Sequence, residues 1–132
     1  MKTYLCGPIH MVSDEQTKDW RKYAEAKLTC YTINPLVRHF KPPFNDFQVI
    51  KDIIQQDLIY ISRSDVILWN YDDAPMVGSS MEVRQAYQWG KLIITVTNGL
   101  SVGPWVKYHT QFLFDTLPDA CDFINKLDSD GF

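Results

Sequence analysis

The sequence lacks the features that would mark a membrane protein, a metalloprotein or a binder of nucleic-acid polymers. No apolar run approaches the ~20 residues that a membrane-spanning helix needs. The opening MKTYLCGPI turns polar too soon for the apolar centre of a secretory signal. A cytoplasmic protein without a membrane partner is the expectation. Positive charge is also scarce: 13 Lys and Arg stand against 16 Asp and Glu, a net charge of −3. No broad basic field exists to hold a polymeric nucleic-acid backbone. Cysteine occurs only at Cys6, Cys30 and Cys121, far apart, with no CxxC and no histidine cluster nearby. An odd, scattered set of this kind reads as reduced, buried thiols rather than a disulfide framework or a metal site. Neither GxGxxG nor GxxxxGK[ST] is present, so no recognised phosphate-cradling motif is available. No metal and no cofactor are expected.

What the sequence does contain is an ordinary globular composition, 45% hydrophobic and 22% charged over 132 residues, which suits one domain spanning residues 1–132. Thr3 to Cys6 is a β-prone run that stops at Gly7-Pro8. Ser13 and Gln16 form a capping box, after which Trp20, Tyr23, Ala24 and Leu28 recur at helical spacing, predicting a helix over about Asp14 to Leu28. Thr29 to Ile33 is a second strand, ended by Asn34-Pro35. A long segment through Pro42-Pro43 follows, carrying Arg38, His39 and Lys41. Phe47, Ile50, Ile53, Ile54, Leu58 and Ile61 mark one face of a helix that starts near Asp46. Asp65 to Trp69 then reads as a central strand covered on both sides. Gly78-Ser79-Ser80 opens a helix from Met81 to about Trp89, closed by Gly90, and Leu92 to Val96 is the fourth strand. Phe112 to Phe114 is a short fifth strand. Thr116 caps a last helix carrying Ala120, Phe123, Ile124 and Leu127, with a tail from Asp128 to Phe132 expected to fray.

Strands alternating with helices at these intervals predict an α/β, doubly wound, flavodoxin-like domain with a mainly parallel sheet of about five strands. Ligands of such folds sit outside the carboxyl ends of the strands. That rule selects the loops Gly7 to His10 (with Pro8), Asn34 to Pro43, Asn70 to Ser80, and Thr97 to Trp105.

Two carboxylates stand out. Asp57 falls inside the apolar stripe of its helix, so it faces the core or a cleft and needs hydrogen-bond partners, a shifted pKa or a ligand. Satisfaction by loop amides and a role in a site both meet that need. Glu82 is placed in the first turn of the third helix, where the helix dipole favours its ionised form. That position suits a nucleophile or proton acceptor. It suits equally a capping box, since Ser79 to Glu82 reads S-x-x-E. Gly78, Ser79 and Ser80 offer amides and hydroxyls to an anion or a sugar, and Arg38, His39 and Lys41 offer the opposite charge or a solvated loop. Asp65, at a helix-to-strand junction, reads as structural. His10 and His109 read as surface or structural residues.

The ordered set TYLCGPI, INPL, QQDLIYISRSDVILWN, GSSMEVRQAYQWGKLIITV, PWVKYHT and TLPDACDFI resembles the nucleoside 2-deoxyribosyltransferase family, including its relatives that hydrolyse nucleoside 5′-monophosphates at the N-glycosidic bond. The resemblance spans nearly the whole chain. It implies that Glu82 is the nucleophile, that Tyr4 orients it and that Asp57 handles the base. It also implies that Gly78, Ser79 and Ser80 face the sugar or a 5′-phosphate, and that Ser101 contributes to a neighbouring subunit's pocket in a homo-oligomer. Many members carry an acidic residue directly ahead of the GxxxE segment. Here Met76 stands there, with Asp72 and Asp73 a few positions earlier as alternative acids. Val83-Arg84 replaces a small Gly-containing stretch after the nucleophile.

The expected activity is therefore cleavage of the N-glycosidic bond of a nucleoside or nucleotide through a glycosyl-enzyme intermediate on Glu82, with transfer to another base or to water. A non-catalytic nucleotide-binding or sensing domain, in which Glu82 only caps its helix, is the alternative. A flavin carrier or a phospho-receiver is disfavoured, because the CGPIH loop has no hydroxyl-rich cradle and the first strand does not end in paired acids.

Overall fold

A computed structural model of the chain describes residues 1–9, 14–37, 46–74 and 76–132. The Ser13–Gln16 capping box and His10, Arg38, His39 and Lys41 lie outside the residues or side chains described.

The elements alternate as expected: β1 (Lys2–Cys6), α1 (Asp14–Lys27), β2 (Tyr31–Ile33), a 3-10 turn (Pro35–Val37), α2 (Phe47–Ser62), β3 (Val66–Asn70), α3 (Val77–Gln88), β4 (Leu92–Val96), α4 (Pro104–His109), β5 (Phe112–Phe114) and α5 (Leu117–Ser129). The five strands pair in the order β2-β1-β3-β4-β5, and every pairing is parallel. This is the flavodoxin-like order, and it reverses direction between β1 and β3. Among the described residues, no helix is long and apolar enough to cross a membrane.

Alternation along the strands divides the core into two layers. Leu5, Val66, Leu68, Ile94 and Val96 face α1 and α5, where they meet Ala24, Leu28, Ala120, Cys121 and Ile124. Tyr4, Cys6, Ile67, Trp69 and Ile93 face the other way, toward Ile61 of α2 and Val83 and Ala86 of α3. The fully buried run of β3 follows from its central position.

Several local expectations are corrected. α3 begins at Val77 rather than Met81, because Asp72 Oδ1 accepts from the Ala74 amide and turns the chain early, and Ser80 N then donates to Met76 O at 2.8 Å. Gly78, Ser79 and Ser80 therefore belong to the first helical turn, and Glu82 lies beyond it. The tail does not fray. Gly131, at φ 80°, and Phe132 donate back to Asp128 O and Leu127 O, closing α5 in a Schellman motif. On α2 the seated face runs along Ile50, Ile53, Asp57 and Ile61, which leaves Phe47 and Ile54 at 71% and 53% exposure on the rim. α4 was not expected at all, although Pro104 at its first position is a helix-start signal.

Candidate active site

The crossover point between β1 and β3 gathers residues from three elements, β1, α2 and α3. Gly7, Pro8 and Ile9 leave the carboxyl end of β1. Met76, Val77, Gly78 and Ser79 open α3, Asp57 comes from the buried face of α2, and Glu82 comes from the second turn of α3. Together they line a cavity of about 280 Å³.

Tyr4 lies beneath it, fully buried on the α2/α3 face of the sheet, and its hydroxyl donates to Glu82 Oε2. Burial, and then the neighbouring charges of Glu82 and Asp57, push the Tyr4 phenol well above its ordinary range. Tyr4 is thus a fixed hydrogen-bond donor rather than a base. Cys6, two residues on and on the same face, donates its thiol to Ser79 O at 3.7 Å. Burial and Glu82 hold that thiol protonated, opposed by the cation of Arg21. Glu82 is therefore bonded to a residue of β1, and with Ser79 already inside α3 the Ser79–Glu82 capping box does not form. Its carboxylate is six positions past Met76, the residue that precedes α3, and Met76 makes no side-chain cap.

Arg21 is the residue that sequence reasoning missed. It is completely buried, and its Nη2 donates to Gly7 O at 3.0 Å. The signal was available: Arg21, Ala24 and Leu28 share the buried line of α1, whereas Tyr23 is 40% exposed. A cation on an otherwise apolar line marks a paired charge in the same way that Asp57 does on α2.

Other expected residues lie elsewhere. Ser80 turns to a separate groove of about 470 Å³ between α3 and α4, with Trp69, Met81, Arg84, Trp105 and His109 on its walls. That groove is larger but carries no carboxylate among the described residues, so the smaller cavity is the chemical candidate. Asp72 is half-buried in the turn before α3, Asp73 and Ser101 are exposed, and none of the three lines the 280 Å³ cavity. His109 is buried and structural: Nδ1 bonds Trp105 O at 2.7 Å and Nε2 faces Arg84 Nη1 at 3.2 Å. Trp105 and Tyr108 are 77% and 63% exposed. Asp65 is structural, with Oδ2 accepting from Lys2 N at 2.8 Å. No group of three or more metal-binding side chains is present among the described residues.

No protein-family model and no curated protein matches the chain. Solved structures do match. A 2-deoxyribosyltransferase from Bacillus psychrosaccharolyticus is 20% identical, with a TM-score of 0.76 over 90% of this chain and 89% of that one. A conserved protein from Enterococcus faecalis V583 is 15% identical, with a TM-score of 0.73 over 96% and 98%. The CMP N-glycosidase BcmB of Clostridium botulinum is 12% identical, with a TM-score of 0.63 over 97% and 99%. At these identities the likeness establishes the shared fold.

Proposed function

We propose that the chain cleaves the N-glycosidic bond of a nucleoside or its 5′-monophosphate by double displacement, with Glu82 as the nucleophile. The observation that supports this is the setting of Glu82. Its carboxylate is held by the Tyr4 hydroxyl and opens on a cavity that a second carboxylate, Asp57, also lines. Two carboxyl groups in one cleft are what glycosyl transfer with an oxocarbenium-like transition state requires.

In the first step Glu82 attacks the anomeric carbon, the C–N bond breaks, and the base departs with the bonding electron pair. Asp57 delivers the proton that neutralises the base. Asp72 and Asp73 stand outside the cavity, so the acid role falls to Asp57. The resulting glycosyl ester is then attacked at the same carbon by a second base, giving transfer, or by water, giving hydrolysis; the bond to Glu82 breaks, and the proton of the incoming group returns to Asp57. Gly78 and Ser79 line the side of the cavity where the sugar or a 5′-phosphate would lie, and Gly7 and Pro8 form the opposing wall. Two proteins of the same fold are by name a 2-deoxyribosyltransferase and a CMP N-glycosidase, which matches the two fates open to such an ester.

Incubation with a panel of nucleosides and 5′-monophosphates, with and without a second free base, tests the reading by chromatography of released or exchanged base. Glu82→Gln is expected to lose more than about a thousandfold in kcat while keeping the wild-type circular dichroism spectrum. Turnover near wild type in that variant overturns the assignment.

A further inference from the structure

The strongest unabsorbed feature is a positive charge in the interior. Arg21 has no exposed surface, and a guanidinium is buried in this way only where negative charge and hydrogen-bond acceptors compensate for lost hydration. Its surroundings supply both. Nη2 donates to the carbonyl of Gly7, and the guanidinium carbon sits 4.6 Å from the centroid of the Trp20 ring. The titratable groups around it are Tyr4 and Cys6 of β1, Asp57 of α2 and Glu82 of α3. All four favour its charged form against the opposing effect of burial. Arg21 thus reaches from α1 to the carbonyl of Gly7, a residue that with Pro8 lines the cavity.

We propose that Arg21 is a positioning residue of the site: it anchors the Gly7 carbonyl, and so the Gly7–Pro8 wall, and supplies from beneath a fixed positive charge that keeps Glu82 ionised. The inference rests on the glycosyl-transfer reading of Glu82. Asp57 and Glu82 share this cation and one cavity, so the first carboxylate charge is stabilised by Arg21 and the second is opposed by the first.

The test uses Arg21→Gln, which keeps a hydrogen-bond donor and removes the charge, and Arg21→Lys, which keeps the charge. Carbon-13 NMR of the side-chain carboxyls follows the Glu82–Asp57 pair in the ligand-free protein. The lower apparent pKa of the pair is expected to rise by about 1 or more in Arg21→Gln and to return toward the wild-type value in Arg21→Lys. The acid limb of kcat/KM against pH moves upward by the same amount. A carboxyl titration unchanged in folded Arg21→Gln, or shifted equally in both variants, overturns the proposal. If Arg21→Gln does not fold, Glu82→Gln in the same chain is expected to restore folding by removing the charge left unbalanced. Failure of that rescue also overturns it. The titration needs no turnover, so a wild-type protein that releases no base refutes the glycosidic reading while the carboxyl signals still decide the role of Arg21.

Discussion

Tyr4 belongs at once to the core and to the candidate site, because strand alternation sends its ring into the layer beneath α3 while its hydroxyl reaches Glu82. Tyr4→Phe preserves the ring and deletes the donor. A hydrogen bond to a charged group contributes roughly 1.5–3 kcal/mol, so kcat is expected to fall about 10- to 100-fold with KM little changed. Steady-state kinetics on the substrate found in the panel checks this, and a change confined to KM would contradict it. At this scale the sequence was unevenly legible. Asp57 announced itself by breaking an apolar stripe, and the seated face of α2 is centred on it. Arg21 broke a stripe in the same way but was hidden, because the more hydrophobic Trp20 and Tyr23 drew the predicted face of α1 to one side. The cap reading of Glu82 failed because a local motif, S-x-x-E, says nothing of the strand residue 78 positions away that binds the same carboxylate.

Among the elements, the contact between α1 and the end of β1 sets the site wall. A Cβ at Gly7 would stand 2.9 Å from Trp20 Cζ2 and 3.5 Å from Asn70 O. The glycine is needed for close approach. Gly7→Ala is therefore expected to cost about 1–3 kcal/mol of stability through overpacking. Urea unfolding measures the loss, and stability equal to wild type would show that the Trp20 ring can move aside. Strands and long helices were readable because their periodicity reports burial directly. α4 was not, since six residues give too little periodicity to register. The start of α3 was misjudged because glycine and two serines looked like the break itself, whereas the Asp72 turn had already made it.

Over the whole molecule, the alternation of strands and helices was sufficient to give the parallel sheet and its doubly wound character, and with them the switch point where the cavity lies. The buried acids of the core also set a stability limit. Cys121 is pushed up to about 11 from the ordinary thiol value of 9.0, chiefly by burial, and Cys6 and Tyr4 are raised further. Each is raised in the folded chain, so its stabilising contribution is complete below the unfolded-state value. The contribution is lost as pH climbs from that value toward the folded one. Stability should fall steadily above about pH 9, with Cys121 alone accounting for on the order of 2 kcal/mol by about pH 11. Urea midpoints measured from pH 8 to 11 test this, with Cys121→Ala expected to show the shallower decline. A flat profile in the wild type would refute it.

The bond between Tyr4 and Glu82 also dictates an order of events during synthesis. Tyr4 leaves the ribosome well ahead of its partner, which is 78 positions behind it. Closing so long a loop is entropically costly until β3 has docked beside β1 and given α3 a surface to settle on. Any chain released from the ribosome before the third helix is complete carries the first half of the pair and lacks the second.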